Sequence, residues 1–256
     1  MADFRLDILW PAFLTGLLVL ATHVPLGKLV LDRGIVFIDL AIAQVAGLGV
    51  VVADFLGWEP TGWSVQASAV AAALVSAGFL IWTEERLAAL QEAVIGVVFV
   101  VAASAEILLL NYNPHGAENL KDLLVGQILW VVPSDLVPVA ILYAAILAAV
   151  ALVDLARRRI LFYALFALTV TASVQLVGVF LVFASLIVPA LTARGLGVKR
   201  PVVFGYAIGL GGYLLGLLAS AFLDLPTGAA IVCALAVLAT AAMMTRAWRR
   251  NGALKD

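Results

Sequence analysis

The feature that most constrains this chain is an apolar run from near Ile160 to near Ala193, which Gly178 and Pro189 interrupt. A helix needs about 20 apolar residues to cross the hydrocarbon core of a bilayer. The run is too long for one crossing and short for two ordinary ones. Gly and Pro are tolerated at membrane depth where neighbouring protein re-satisfies the freed backbone groups. Short apolar segments broken in this way tend to lie along transport pathways. Residues 174–194, VQLVGVFLVFASLIVPALTAR, therefore read as a broken pair of short helices. Gly178 and Pro189 are its hinge candidates, and Arg194 is its charged end.

The rest of the chain extends the pattern. Of the 256 residues 65% are hydrophobic and 12% charged, more apolar matter than a water-facing domain can hide. Nine apolar segments are expected, at 10–27, 34–55, 64–82, 92–110, 136–153, 160–177, 179–193, 201–222 and 227–246. The predicted fold class is all-α, a polytopic transmembrane bundle of about 8–9 segments including short broken helices. No linker or low-complexity tract divides it, so 1–256 reads as one domain in a lipid bilayer. The N-terminal MADFRLDILW is mixed in charge and leads into a span without an A-x-A-like cleavage pattern, so no removed leader is expected. The lone Cys233, inside an apolar run, is expected to be a small packing residue.

Basic residues concentrate on the cytoplasmic side of membrane proteins. With the N-terminus outside and nine alternating segments, all Lys and Arg except Arg5 and Lys121 fall inside, and the C-terminus is inside. This requires the chain to reverse at Gly178. Otherwise Arg157, Arg158 and Arg159 would lie opposite Arg194, Lys199 and Arg200. The six tryptophans, at 10, 58, 63, 82, 130 and 248, fall at segment ends or in connectors, as an aromatic belt requires. In the longest outer connector, 111–133, apolar residues recur one-sidedly at Ala117, Leu120, Leu123, Leu124, Ile128 and Val131. That predicts a helix lying in the interface or packed over the bundle mouth. Gly205, Gly209, Gly212 and Gly216 form a small-residue stripe, suited to close packing inside the chain or against a second copy.

Soluble-enzyme motifs are absent: there is no GxxxxGK[ST], HExxH or CxxC, and no paired catalytic groups at one depth. The chain is therefore not expected to be an enzyme, and any ATP it uses is bound by a partner chain. Nothing in it calls for a nucleic-acid partner. Ionisable groups inside a membrane are costly and usually functional. Asp39, Glu106 and His23 qualify, with Gln44 and Gln175 as neutral polar positions. Each also has a bland reading, as an interhelical hydrogen bond or an interfacial polar residue. Carboxylate and imidazole together would suit a hard or borderline divalent cation.

Several stretches resemble one family, the integral-membrane permeases of zinc, manganese and iron ABC uptake transporters. PAFLTGLLVLATHVPLGKLVL from Pro11 is similar to the family's first helix, and DLAIAQVAGLG from Asp39 to its second-helix motif. LLVGQIL from Leu123 is similar to its outer LxFGDLL element. GVFLVFASLIVPALTAR from Gly178 is close to GALLVxALLIIPAATAR, and Asp224-Leu-Pro-Thr-Gly also matches. Where the family motif carries a histidine this chain has Gln44 (or Ala43), and a polar position in segment four is Val100. The resemblance implies an inner-membrane permease moving a divalent metal, zinc before manganese or iron. It implies cytosolic ATPase subunits, an extracytoplasmic metal-binding protein and a second copy of the permease, with no covalently bound cofactor. The family's ATPase-docking segment between spans five and six corresponds here to a connector of only 154–159. Coupling then runs through another inner loop, 84–92 or 194–200, or the protein is an uncoupled carrier or assembly partner.

Overall fold

The computed structural model describes residues 2–58, 63–113, 116–155 and 157–252, so the connector residues Glu59 and His115 lie outside it. The helices are α1 (Ala2–Arg33), α2 (Ile38–Phe55), α3 (Trp63–Arg86), α4 (Gln91–Leu110), α5 (Gly116–Val125), α6 (Pro133–Leu152), α7 (Arg159–Val177), α8 (Val179–Leu196), α9 (Pro201–Leu223) and α10 (Thr227–Gly252). Among the described residues nine helices, all but α5, are long and apolar enough to span a membrane. These are the nine expected segments, each within a few residues.

Two of the helices run further than expected, and each contains a proline. The first span continues through Pro25 to Arg33, and α8 runs through Pro189 to Leu196. Pro25 cannot donate to the carbonyl of Ala21 one turn earlier. The Tyr206 hydroxyl on α9 takes that carbonyl instead, at 2.9 Å, which is how a proline inside a helix is accommodated at membrane depth. Pro189 therefore does not break its helix. Gly178 does: at φ 79° and ψ 162° it ends α7 and starts α8 as the only residue between them. The two helices are 19 and 18 residues long. They are full spans rather than short stubs, because a one-residue connection leaves almost the whole run to the helices.

The helices group into two half-bundles. In one, α2 packs against α3, α4 and α7; in the other α1, α8, α9 and α10 pack together. The Gly178 break carries the chain from the first half to the second. The glycine stripe of α9 works inside the second half. A Cβ at Gly205 would stand 2.9 Å from Val24 and one at Gly209 2.6 Å from Leu20, both on α1; Gly212 and Gly216 face Leu235 and Ile231 on α10. Cys233 sits on the exposed side of α10 and so is not a packing residue. Trp10, Trp58, Trp63, Trp82 and Trp130 are exposed.

Alternation of the spans gives the molecule two faces. On one, which we call the basic face, lie the α1–α2, α3–α4, α6–α7 and α8–α9 connectors. Arg33 donates to the Leu155 carbonyl at 2.8 Å and stacks over Phe162 at 4.3 Å. Arg194 donates to the Leu31 carbonyl at 2.7 Å, and Arg159 lies 3.4 Å from Glu84 and 3.5 Å from Glu85. Glu92 accepts from the Val36 amide at 2.6 Å. These ties place the Arg157–Arg159 and Arg194–Arg200 groups on one face, as a reversal at Gly178 requires.

The opposite face carries α5. The expected helix of 111–133 forms over Gly116–Val125 and stops at Gly126, whose φ is 74°; a 3₁₀ turn, Ile128–Trp130, follows. The segment packs on α4, α7 and α8, so it covers the bundle mouth. A Cβ on Gly126 would collide with the Val177 carbonyl, one on Gly178 with the Gly126 amide, and one on Gly228 with the Val125 carbonyl. Three backbones thus meet without side chains between them. The adjoining α9–α10 turn is held by Asp224 at φ 57° and by Ser220, whose hydroxyl donates to the Leu225 carbonyl at 2.7 Å and bonds Thr227.

Candidate functional site

Four of the candidates are among the buried polar side chains of this bundle. α2 supplies Asp39 and Gln44, α4 supplies Glu106 and α1 supplies His23, all at most 2% exposed. The structure brings two of the four together. Gln44 Nε2 donates to Glu106 Oε2 across the α2–α4 contact. Gly47, one turn beyond Gln44 on α2, makes the room: a Cβ there would stand 2.7 Å from Glu106 Oε1. A helix can carry a bulky acid against its neighbour at this depth only where the facing position is empty. Gln44 Oε1 and Glu106 Oε1 accept no hydrogen bond from the described residues. Two unsatisfied oxygen acceptors in a buried site carry a full desolvation penalty, and oxygen donors of this kind suit divalent cations.

Asp39 and His23 stand elsewhere. Asp39 lies in the first turn of α2, where the helix dipole favours a carboxylate. Neither of its carboxylate oxygens has a hydrogen-bond partner among the described residues. His23 Nδ1 bonds the Val19 carbonyl of its own helix at 2.8 Å, while Nε2 has no partner. Among the described residues no three His, Cys, Asp or Glu side chains lie close enough to hold one metal ion. The four candidates therefore mark three positions, the Gln44–Glu106 pair, Asp39 and His23, and not one ligand cage. Gln175 is exposed and lines a cavity of ≈ 390 Å³ at the mouth, between α2, α3, α4, α5 and α7, together with Asp54, Gln66, Asp122 and Leu123.

Sequence reasoning missed Gly47, Leu123 and Gly126, although each lies inside or beside a motif already noted. Their importance comes from which neighbour they face. The hinge candidates separate as well: Gly178 is a true break, Pro189 sits within α8, and Arg194 anchors the basic end of that helix to α1.

With this geometry in view, the comparisons with known proteins are decisive for the family. The ABC 3 transport family model matches residues 5–155 and 147–246. The chain belongs to the ABC 3 transport family. It is similar to the high-affinity zinc uptake system membrane protein ZnuB of Haemophilus influenzae, at 25% identity over 94% of this chain and 98% of that protein. A second H. influenzae relative, named "Probable iron transport system membrane protein", is 29% identical over 63% of this chain and 64% of its own length. A chain of the solved structure of PsaBC from Streptococcus pneumoniae in complex with Fab superposes with a TM-score of 0.74 at 21% identity, covering 94% of this chain and 95% of that one. The chain is thus a multi-pass membrane permease of the ABC type, an all-α bundle whose fold extends over nearly its full length.

Proposed function

We propose that this protein is the permease subunit of an importer for a divalent metal ion, zinc first, with manganese and iron as near alternatives. The whole of 1–256 acts as one permease domain. The observation that carries the reading is the buried Gln44–Glu106 pair, with its two open oxygens, inside a bundle of this transport family. The named role of the H. influenzae zinc relative supports zinc as the first choice. An extracytoplasmic metal-binding protein delivers the cation to the α5 face, the N-terminus being outside and the C-terminus inside, as the basic residues favour. The cation passes Glu106 and then Asp39, with Gln44 and His23 as polar positions along the way. Cytosolic ATPase subunits bind ATP and drive alternating access, and a second copy of the permease completes the assembly.

The α8 helix is suited to carry the movement. It is continuous from the break at Gly178 on the α5 face to Arg194 and Leu196 on the basic face. A push on the 194–200 connector is transmitted along it as a rigid rod, with Gly178 as the joint. The short 154–159 connector favours one rival, an uncoupled carrier or assembly partner of the same fold.

Zinc uptake into vesicles holding the permease, its ATPase and its binding protein tests both points. Glu106→Gln keeps the shape and removes the charge, and uptake should fall about tenfold or more with the protein still present in the membrane. Undiminished uptake in that variant sinks the assignment of Glu106. Uptake that proceeds without ATP favours the uncoupled carrier.

A further inference from the structure

The mouth cavity and the buried pair are close neighbours. The cavity is lined by the polar Asp54, Gln66, Asp122 and Gln175 and by the apolar Leu110 and Leu123. Leu110 is one helical turn from Glu106 on α4. The vacant Cβ position of Gly47 is a common reference point: Glu106 Oε1 lies 2.7 Å from it and Leu123 Cδ1 4.0 Å. Leu123 thus touches the cavity on one side and the surroundings of Glu106 on the other. It is carried by α5, a ten-residue helix that packs on α4, α7 and α8 without itself spanning the membrane. Its last turn ends at Gly126, where backbone meets backbone at Val177 and Gly178, beside the close approach of Gly228 to the Val125 carbonyl.

We propose that Leu123 is the gate residue of the pathway, an apolar plug between the mouth cavity and the Gln44–Glu106 pair, moved by α5 pivoting at Gly126. This rests on the reading of Glu106 as a pathway residue. Asp54 and Asp122 hold a hydrated cation loosely at the rim, because both are already engaged: Asp54 accepts from Asn113 at 3.1 Å and Asp122 from Gln127 at 2.6 Å. A constriction of one leucine excludes water and ions by dewetting until it moves. The pivot sits against the α7–α8 joint, so a shift of α8 reaches Leu123 through Gly178 and Gly126 with no intervening side chain to absorb it.

The test places a reporter below the plug. In the full chain carrying Cys233→Ser and Glu106→Cys, a small membrane-impermeant cationic thiol reagent is applied to membrane vesicles of each orientation. With Leu123 present, modification is slow from both sides. Leu123→Ala should speed it about tenfold from the α5 face alone, and Leu123→Phe should slow it below the parent. Equal rates in all three chains overturn the proposal, as does an acceleration from the basic face. The transport assay of Glu106→Gln is read separately. Normal uptake there together with gated labelling removes Glu106 from the path and leaves the plug standing; lost uptake with ungated labelling does the reverse.

Discussion

The two faces of this permease are held together by opposite means. On the α5 face, Gly126, Gly178 and Gly228 bring three backbones into direct contact, and no side chain is available to adjust. On the basic face, Arg33, Arg159 and Arg194 reach carbonyls and carboxylates with long, partly exposed side chains. The first arrangement stores its geometry in the main chain, where an added methyl group has nowhere to go. The second spreads it over flexible groups in contact with water, where loss of one partner is absorbed by its neighbours. A transporter of this kind has a stiff joint at one face and an adaptable surface at the other, where a partner can dock.

This contrast makes graded predictions. The largest effect is expected at the joint. Gly178 occupies a backbone region that is essentially restricted to glycine, at a cost of about 1–3 kcal/mol for any other residue. Overpacking against Gly126 adds a further roughly 1–3 kcal/mol. Gly178→Ala should therefore yield little protein that survives detergent extraction as a monodisperse species, and Gly126→Ala should behave alike. Arg33→Ala comes next: it loses a charged hydrogen bond to Leu155 and a cation–π contact with Phe162, about 1–3 kcal/mol together, read as a lowered Tm in detergent. Arg194→Ala should be the mildest for stability, under about 1 kcal/mol, because its pair with Asp32 is long and exposed and its hydrogen bond to the Leu31 carbonyl is open to solvent. If Gly178→Ala proves no more damaging than Arg194→Ala, the contrast between the faces is wrong. Should Arg194→Ala abolish ATP-driven uptake while leaving Tm unchanged, the contrast sharpens, since the adaptable face would then be the one that couples.

A similar distinction holds between the two buried acids. Asp39 has the first turn of α2 to support its charge, whereas Glu106 has a glutamine, an empty glycine position and a cavity nearby. Hydrophobic counting marked both as unusual, yet it could not rank them. Their order depends on what stands on the facing helix, and facing is decided by packing. The same holds for Pro25, whose freed Ala21 carbonyl is taken by the hydroxyl of Tyr206, 181 positions further along the chain than the proline.

Spans, class, reversal at Gly178 and family were all legible in the order of the residues. Each follows from local chemistry: a bilayer demands about 20 apolar residues per crossing, charge clusters choose sides, and a glycine in a long run marks where the chain can turn. What only the tertiary structure decided are the meetings between distant residues. Gln44 finding Glu106, Gly47 making space for it, Leu123 standing over it, and Gly126 lying against Gly178 are facts about neighbours. Periodicity assigns a residue to a face of its own helix, but the partner of that face is set by how the spans pack, and that information is spread over the whole chain.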